Sequence, residues 1–243
     1  MGQRLAPSLA IAFMYKVEAP ILVHRPLLYC RHGRRQQVIL DFLVEHFRVE
    51  EPLNRASAFT EEAFRVNFSH LVDKCLKDPF SIIVRCRDNN KIAGVLLNQI
   101  INRTDGKENI VFTDNPDTGL SALGRILTEL HNAFFDLVPM NVQRVLKIEI
   151  SSVAKPFQRQ GIASKMMDFS LTREKLQQYR IDGIMAETTS AANQILLAKR
   201  GFKNLKEIWL HDVKGSQGQE LLRTDDGTEK AILNWKPSEE LGL

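Results

Sequence analysis

The chain has 243 residues, 44% of them hydrophobic and 26% charged, an ordinary soluble globular composition that sets aside a disordered, collagen-like or membrane class. At roughly 150 residues per domain, the length allows one medium domain or two small ones and can bury a core without staples. Thirty-three basic against 29 acidic residues leave a net charge of +4 and a pI near 9.0, which suits an anionic small-molecule partner and is too weak to argue for nucleic acid.

Met1 to Val17 holds no acid and carries Arg4 and Lys16 around Ala10-Ile11-Ala12-Phe13-Met14. With one arginine, little serine and no clear cleavage site it departs from a targeting peptide. Ala6 stands where a myristoylation signal wants serine or threonine. No charge-free run exceeds eleven residues, Leu5 to Tyr15 and Thr188 to Ala198 among them, short of the roughly 18 apolar residues that span a bilayer. Cys30, Cys75 and Cys86 are odd in number, widely spaced and without a C-x-x-C pair. That points away from disulfides and zinc, and toward a reducing, cytosolic compartment.

Gln36 to Phe47 places Val38, Ile39, Phe42, Leu43, His46 and Phe47 at helical spacing, ending before Pro52. A second helix runs from Thr60 to about Cys75, with Glu61 and Glu62 in its first turn, where the helix dipole favours acids. Ser81 to Arg87 and Ile92 to Ile101 read as an antiparallel hairpin around Asp88-Asn89-Asn90. Asn102 to Gly119 is a long polar loop and Leu120 to Asp136 returns to helical spacing. Val145 to Val153 is a strand, Gly161 to Tyr179 one amphipathic helix, and Ile181 to Glu187 a short strand. A helix from Ala191 to Arg200 stops at Gly201, the usual C-terminal cap, before strands at Phe202 to Val213 and Ala231 to Trp235. This order suits one mixed α/β sheet in one domain, with no internal repeat or linker.

Chemistry concentrates in Glu149 to Ser164, E-I-S-S-V-A-K-P-F-Q-R-Q-G-I-A-S. A strand ends at Val153 and Gln158-Arg159-Gln160-Gly161-Ile162-Ala163 opens a helix, which makes an anion site: free N–H groups and the positive dipole end face outward. Gly161 and Ala163 let phosphate oxygens approach, and Lys155 and Arg159 add charge. An ordinary capped strand-to-helix turn is the bland alternative. Neither G-x-x-x-x-G-K-[ST] nor G-x-G-x-x-G is present, which disfavours a P-loop and a dinucleotide fold.

Gln158-x-x-Gly161-x-Ala163 resembles the pyrophosphate signature Q/R-x-x-G-x-G/A of the GNAT acyltransferase superfamily. Glu51-Pro52-Leu53-Asn54 resembles the D/E-E-P-L-N box of invertebrate arylalkylamine N-acetyltransferases, and Gly94-Val95-Leu96-Leu97-Asn98 their third strand. The downstream run ending in Lys199, Gly201 and Phe202 is similar to the fifth strand and following helix. The matches cover roughly Leu27 to Lys236, so residues 1–26 are an extension of unknown role and residues 27–243 the acyltransferase domain.

The resemblance implies a mixed, mostly antiparallel GNAT sheet of about six or seven strands flanked by helices. It also implies transfer of acetyl from acetyl-CoA to a small primary amine, by direct attack in a ternary complex. Ser151, Ser152 and Val153 then lie along the cofactor arm, and Gln158, Arg159, Gln160, Gly161, Ile162, Ala163 and Ser164 at its phosphates. A base must take a proton from an ammonium, so a partly desolvated carboxylate is needed. Glu51 matches the base; read without the box, it is a surface acid closing a helix, and Glu50 beside it is a second candidate. The oxyanion falls to backbone N–H groups of the fourth strand. Leu197 stands where many members carry a tyrosine acid. Thr189 and Asn193 stand where insect-type members carry serines; Thr189 is a proton relay or a helix N-cap, and Ser190 and Asn193 are candidates for the CoA arm.

The six histidines show no H-x-H or H-E-x-x-H spacing, so no metal is implied. Arg31-His32-Gly33-Arg34-Arg35 reads as a solvated turn before the first helix rather than a nucleic-acid patch. Phe42, Phe47, Phe59, Phe64 and Phe68 read as core, and an arylalkylamine pocket needs a few of them near Glu51. Other acceptors (a polyamine, an amino acid, a protein lysine) stay open, as does a CoA-binding module without catalysis.

Overall fold

The structure, a computed structural model, describes residues 21–24 and 32–241. Among the described residues seven strands form one sheet: β1 (Ile21–His24), β2 (Ile82–Cys86), β3 (Ile92–Asn102), β4 (Arg144–Val153), β5 (Gly183–Thr188), β6 (Lys203–Trp209) and β7 (Lys230–Pro237). Their order is β1-β2-β3-β4-β5-β7-β6. Every pairing is antiparallel except β4 with β5.

Helix α1 (His32–Phe42) runs into a π-helical turn, Leu43–Phe47, and then α2 (Arg48–Glu50). It therefore takes in residues that the basic run suggests lie before the helix. Helix α3 (Pro52–Ala56) comes at once, and α4 (Glu61–Lys77) is capped by Thr60, whose hydroxyl accepts from Ala63 N at 3.2 Å. These helices and α5 (Gly119–Leu137) cover one face of the sheet. Phe64, Phe134, Leu130 and Ile126 are fully or almost fully buried there against Val95, Leu97, Val145 and Trp235. At about 25 cal/mol per Å² of apolar surface removed from water, such contacts are the main term holding layer to sheet.

The other face packs α6 (Ile162–Ser170), α7 (Arg173–Gln178) and α8 (Ala191–Lys199) through Met166, Met167, Leu176 and Leu197 onto Leu96, Leu146, Ile148 and Ile184. The single helix expected over Gly161 to Tyr179 is two, because Thr172 opens a new one by accepting from Lys175 N at 3.4 Å. The strand expected to reach Val213 ends at Trp209 in a short 3-10 turn.

β1 pairs with β2 ahead of the boundary expected at Leu27, so the sheet takes in part of the stretch 1–26; residues 1–20 lie outside the described residues. Among the described residues no helix is long and apolar enough to cross a membrane. Cys75 and Cys86 are buried free thiols, and Cys30 is outside the described residues.

Candidate active site

The parallel pair sets the geometry. β4 and β5 pair only from Val145↔Gly183 to Ile148↔Ala186. Beyond that, β4 stays with β3 as far as Val153↔Gly94, while β5 stays with β7 as far as Thr188↔Ile232. The two strands therefore diverge toward their carboxyl ends, the side on which parallel α/β sheets bind ligands. A bulge starts the divergence: Leu97 opposes Ile150 and Asn98 opposes Ile148, leaving Glu149 as the extra residue. From Glu149 to Val153 the strand is paired on one side, which frees backbone donors and acceptors along the other.

A cavity of about 420 Å³ opens at this divergence. Phe47 and Phe68 line it from the helical layer, Ile148, Glu149 and Ile150 from β4, and Ile110 and Phe112 from the loop before α5. That loop lies flat on α5 because residue 124 is glycine: a Cβ there would sit 2.5 Å from the Ile110 carbonyl oxygen. Thr128 Oγ1 accepts from Ile110 N at 2.9 Å, and Asn132 Oδ1 from Glu108 N at 2.9 Å.

Glu51 and Thr189 both line this cavity. The π-helical turn inserts one residue and rotates the residues downstream of it by about 100° relative to a continuous α-helix. Pro52 then starts α3 with Glu51 as its N-cap, accepting from Asn54 N at 2.6 Å. Thr189, just past β5, donates its hydroxyl to Glu51 Oε1 at 2.8 Å. Glu51 is 8% exposed, and burial raises its pKa to about 7, against the lowering pull of the Asn54 and Thr189 donors. Capping alone explains a carboxylate here but demands no titration near neutrality, which a general base needs. Thr189 is not the cap of α8: Ser190 is, its buried hydroxyl accepting from Asn193 N at 3.4 Å.

Glu50 points elsewhere. Its carboxylate accepts from Gln158 Nε2 at 2.6 Å and from Lys155 N at 3.3 Å, and lies 3.3 Å from His46 Nδ1. The two neighbouring acids thus serve different ends of the cleft.

Across the divergence lies the loop into α6. Gln158 Nε2 also donates to Val153 O at 2.9 Å. Arg159 and Gly161 are left-handed (φ 60 and 75), and the space a Cβ would take at Gly161 has nothing within 4 Å. Arg159, Gln160 and Lys155 of the same loop are exposed, and the Gln160 amide donates to Pro156 O at 3.3 Å. An open αL glycine at a helix N-terminus, with bases and no acid between Lys155 and Lys165, fits an anionic phosphate group. Two expectations narrow. Ile162 is buried in the core and offers only its backbone N–H. The Ser164 hydroxyl accepts from Arg200 Nη1 at 2.7 Å. Ala163 packs on the same core, Ser152 is buried, and Ser151 Oγ is buried with no hydrogen-bond partner among the described residues on the one-sided stretch of β4. Asn193 is half-buried in the first turn of α8, and Leu197 is a core residue, 2% exposed.

No family model matches the chain, and no curated protein matches it. Solved structures do. Arylalkylamine N-acetyltransferase 2 from Aedes aegypti superposes with a TM-score of 0.65 at 19% identity, over 90% of this chain and 99% of that one. A mosquito arylalkylamine N-acetyltransferase-like 5b gives 0.70 at 14%, over 89% and 99%. A polyamine N-acetyltransferase from Drosophila melanogaster gives 0.66 at 13%, over 89% and 99%. The chain has the GNAT fold.

One element of this cavity is not announced by any motif. Lys147 Nζ lies 3.2 Å from Glu187 Oε1, 3.4 Å from Glu149 Oε1 and 3.2 Å from His131 Nδ1, with none of the four side chains more than 10% exposed. Glu108, whose Oε1 is 3.2 Å from Lys74 Nζ, continues the group toward the rim. Burial pushes the Glu149 carboxyl up against the pull of Lys147. Burial acts on Glu187 too, but Lys147 and His131 outweigh it and hold that carboxyl low. Burial opposes the charge on Lys147 itself, yet its two carboxylates keep it an ammonium. The available sequence signal was the pair Lys147-x-Glu149 within an otherwise apolar strand.

Proposed function

We propose that the protein is an N-acetyltransferase that moves acetyl from acetyl-CoA to a small primary amine, with Glu51 as general base. The observation that carries this is one buried carboxyl, titrating near neutrality and bonded to Thr189, in a cavity at the diverging ends of β4 and β5. Acetyl-CoA supplies an acyl thioester. The N–H groups of Arg159 to Ser164 and the side chains of Lys155 and Arg159 hold its phosphates, and the edge of Ser151 to Val153 that β5 leaves unpaired aligns its arm. Backbone N–H groups beyond the Glu149 bulge face the carbonyl oxygen.

The amine enters as an ammonium and Glu51 takes its proton. From an amine of pKa about 10 to an ordinary carboxylate the transfer costs about 8 kcal/mol; to Glu51 at about 7 it costs about 4. Thr189 donates to Glu51 Oε1 and Asn54 N–H to Oε2, which together hold the carboxylate in place. The freed nitrogen then bonds the carbonyl carbon, the carbon–sulfur bond breaks, and the second proton that nitrogen sheds in becoming the amide passes through water to the departing thiolate, since Leu197 offers none.

Phe47, Phe68 and Phe112 on the cavity wall support an arylalkylamine as acceptor. The domain is read as starting with β1, and free buried Cys75 and Cys86 suit a cytosolic setting. The test is thiol release from acetyl-CoA against arylalkylamines, polyamines and lysine peptides. Turnover confined to small amines supports the proposal; turnover with peptides alone sinks it, and tight CoA binding with no turnover on any acceptor makes the protein a binding module.

A further inference from the structure

We propose that Glu50 is a positioning residue that sets the distance between the base and the cofactor loop, an inference that rests on the acetyltransferase reading above. Residues 50 and 51 straddle the divergence of the sheet. Glu51 is bonded to Thr189, just past the end of β5, and Glu50 to Lys155 N and Gln158 Nε2, just past the end of β4. One peptide unit therefore joins the two strand ends that have parted company below it. Anything that moves Glu50 changes where Glu51 stands relative to the loop of Gln158 to Ser164.

The contact is built to hold a position. The Gln158 amide spends both of its hydrogens, one on Glu50 Oε2 at 2.6 Å and one on Val153 O at 2.9 Å, so its orientation is fixed from two sides. His46, four residues before Glu50, backs the carboxylate from the helix at 3.3 Å. With a side chain 23% exposed, Glu50 is sheltered enough for a charge-assisted bond to keep its strength. Glu50 is not among the residues lining the cavity that holds Glu51, which separates its role from that of Glu51.

The experiment titrates CoA itself into the full chain by calorimetry, for wild type, Glu50→Ala, Glu50→Asp, Gln158→Ala and Glu50→Ala/Gln158→Ala. Aspartate keeps the charge and loses the reach. Placement therefore requires Glu50→Asp to weaken CoA about tenfold, as Glu50→Ala does, by loss of one charge-assisted bond. The double variant should lose less than the two single losses combined, since both remove the Glu50–Gln158 bond while Glu50→Ala alone also gives up Lys155 N and Gln158→Ala alone Val153 O. At saturating acetyl-CoA the Glu50 variants should lose kcat while their acidic pH limb stays where wild type has it. Should Glu50→Ala not fold, Glu50→Gln stands in, losing the same charge-assisted bond with nearly the same shape. Unchanged or tighter CoA binding in Glu50→Ala, a wild-type Glu50→Asp, or additive losses in the double variant would each overturn the proposal. CoA binding needs no turnover, so wild-type rates in Glu51→Gln would remove the base and leave these results standing.

Discussion

Replacing Glu51 by glutamine should make the protein more stable at alkaline pH while removing its activity. Glu51 titrates at about 7 when folded against 4.5 in a model peptide. At about 1.4 kcal/mol per pH unit, ionising it in the folded state costs about 3 kcal/mol more than in the unfolded chain. A raised carboxyl supports folding fully below its unfolded pKa and loses that support as pH rises through its folded one, so the window runs from 4.5 to about 7. Glutamine has nothing to titrate, keeps a carbonyl for Asn54 N–H, and can meet the Thr189 hydroxyl as donor or acceptor. The melting temperature of Glu51→Gln relative to wild type should therefore climb between about pH 5 and about pH 8. At roughly 2–4 °C per kcal/mol for a chain of this size, the climb is about 6–12 °C. Scanning calorimetry of both proteins across that range measures it directly. A difference that stays flat would refute the elevated carboxyl and the base assignment built on it.

Thr189→Val removes a donor that lowers the Glu51 pKa, so the acidic limb of kcat/KM should move upward in pH, with about 1 kcal/mol lost in urea unfolding. Gly161→Ala forces a left-handed alanine at φ 75 into open space, which should cost about 1–2 kcal/mol of stability and weaken CoA in a direct titration, while amine KM holds. Lys147→Met strips the cation from two buried carboxylates and should destabilise by about 3–5 kcal/mol. Both folded carboxyls then titrate higher, so that loss deepens as pH rises; thermal melts at low and high pH check the slope.

The sheet was legible wherever local chemistry and tertiary position agree. The Asp88-Asn89-Asn90 turn, the Thr60 cap and Gly201 at φ 77 each do locally what their residue types favour. The turn into α6 was legible because Gly161 adopts αL and Lys155, Arg159 and Lys165 flank it in sequence. Other features were hidden for physical reasons. β1 is a four-residue run between Pro20 and Arg25, too short to show alternation. The break at Thr172 falls where apolar periodicity carries on through Leu171 and Leu176 into both helices. Glu50 and Glu51 differ by one position, and only the π-helical turn and Pro52 decide which faces Thr189. The Lys147 group draws Glu187, His131 and Glu108 from three distant segments, so no local pattern contains it.

If Glu51 deprotonates an amine acceptor, the pH dependence of thiol release with a reactive amine reports its titration. Wild type is predicted to lose rate about tenfold per pH unit below about 7, and Glu51→Gln to run about 10²–10⁴-fold slower at every pH. Equal rates in the two proteins, or a wild-type profile without a limb near 7, would contradict it.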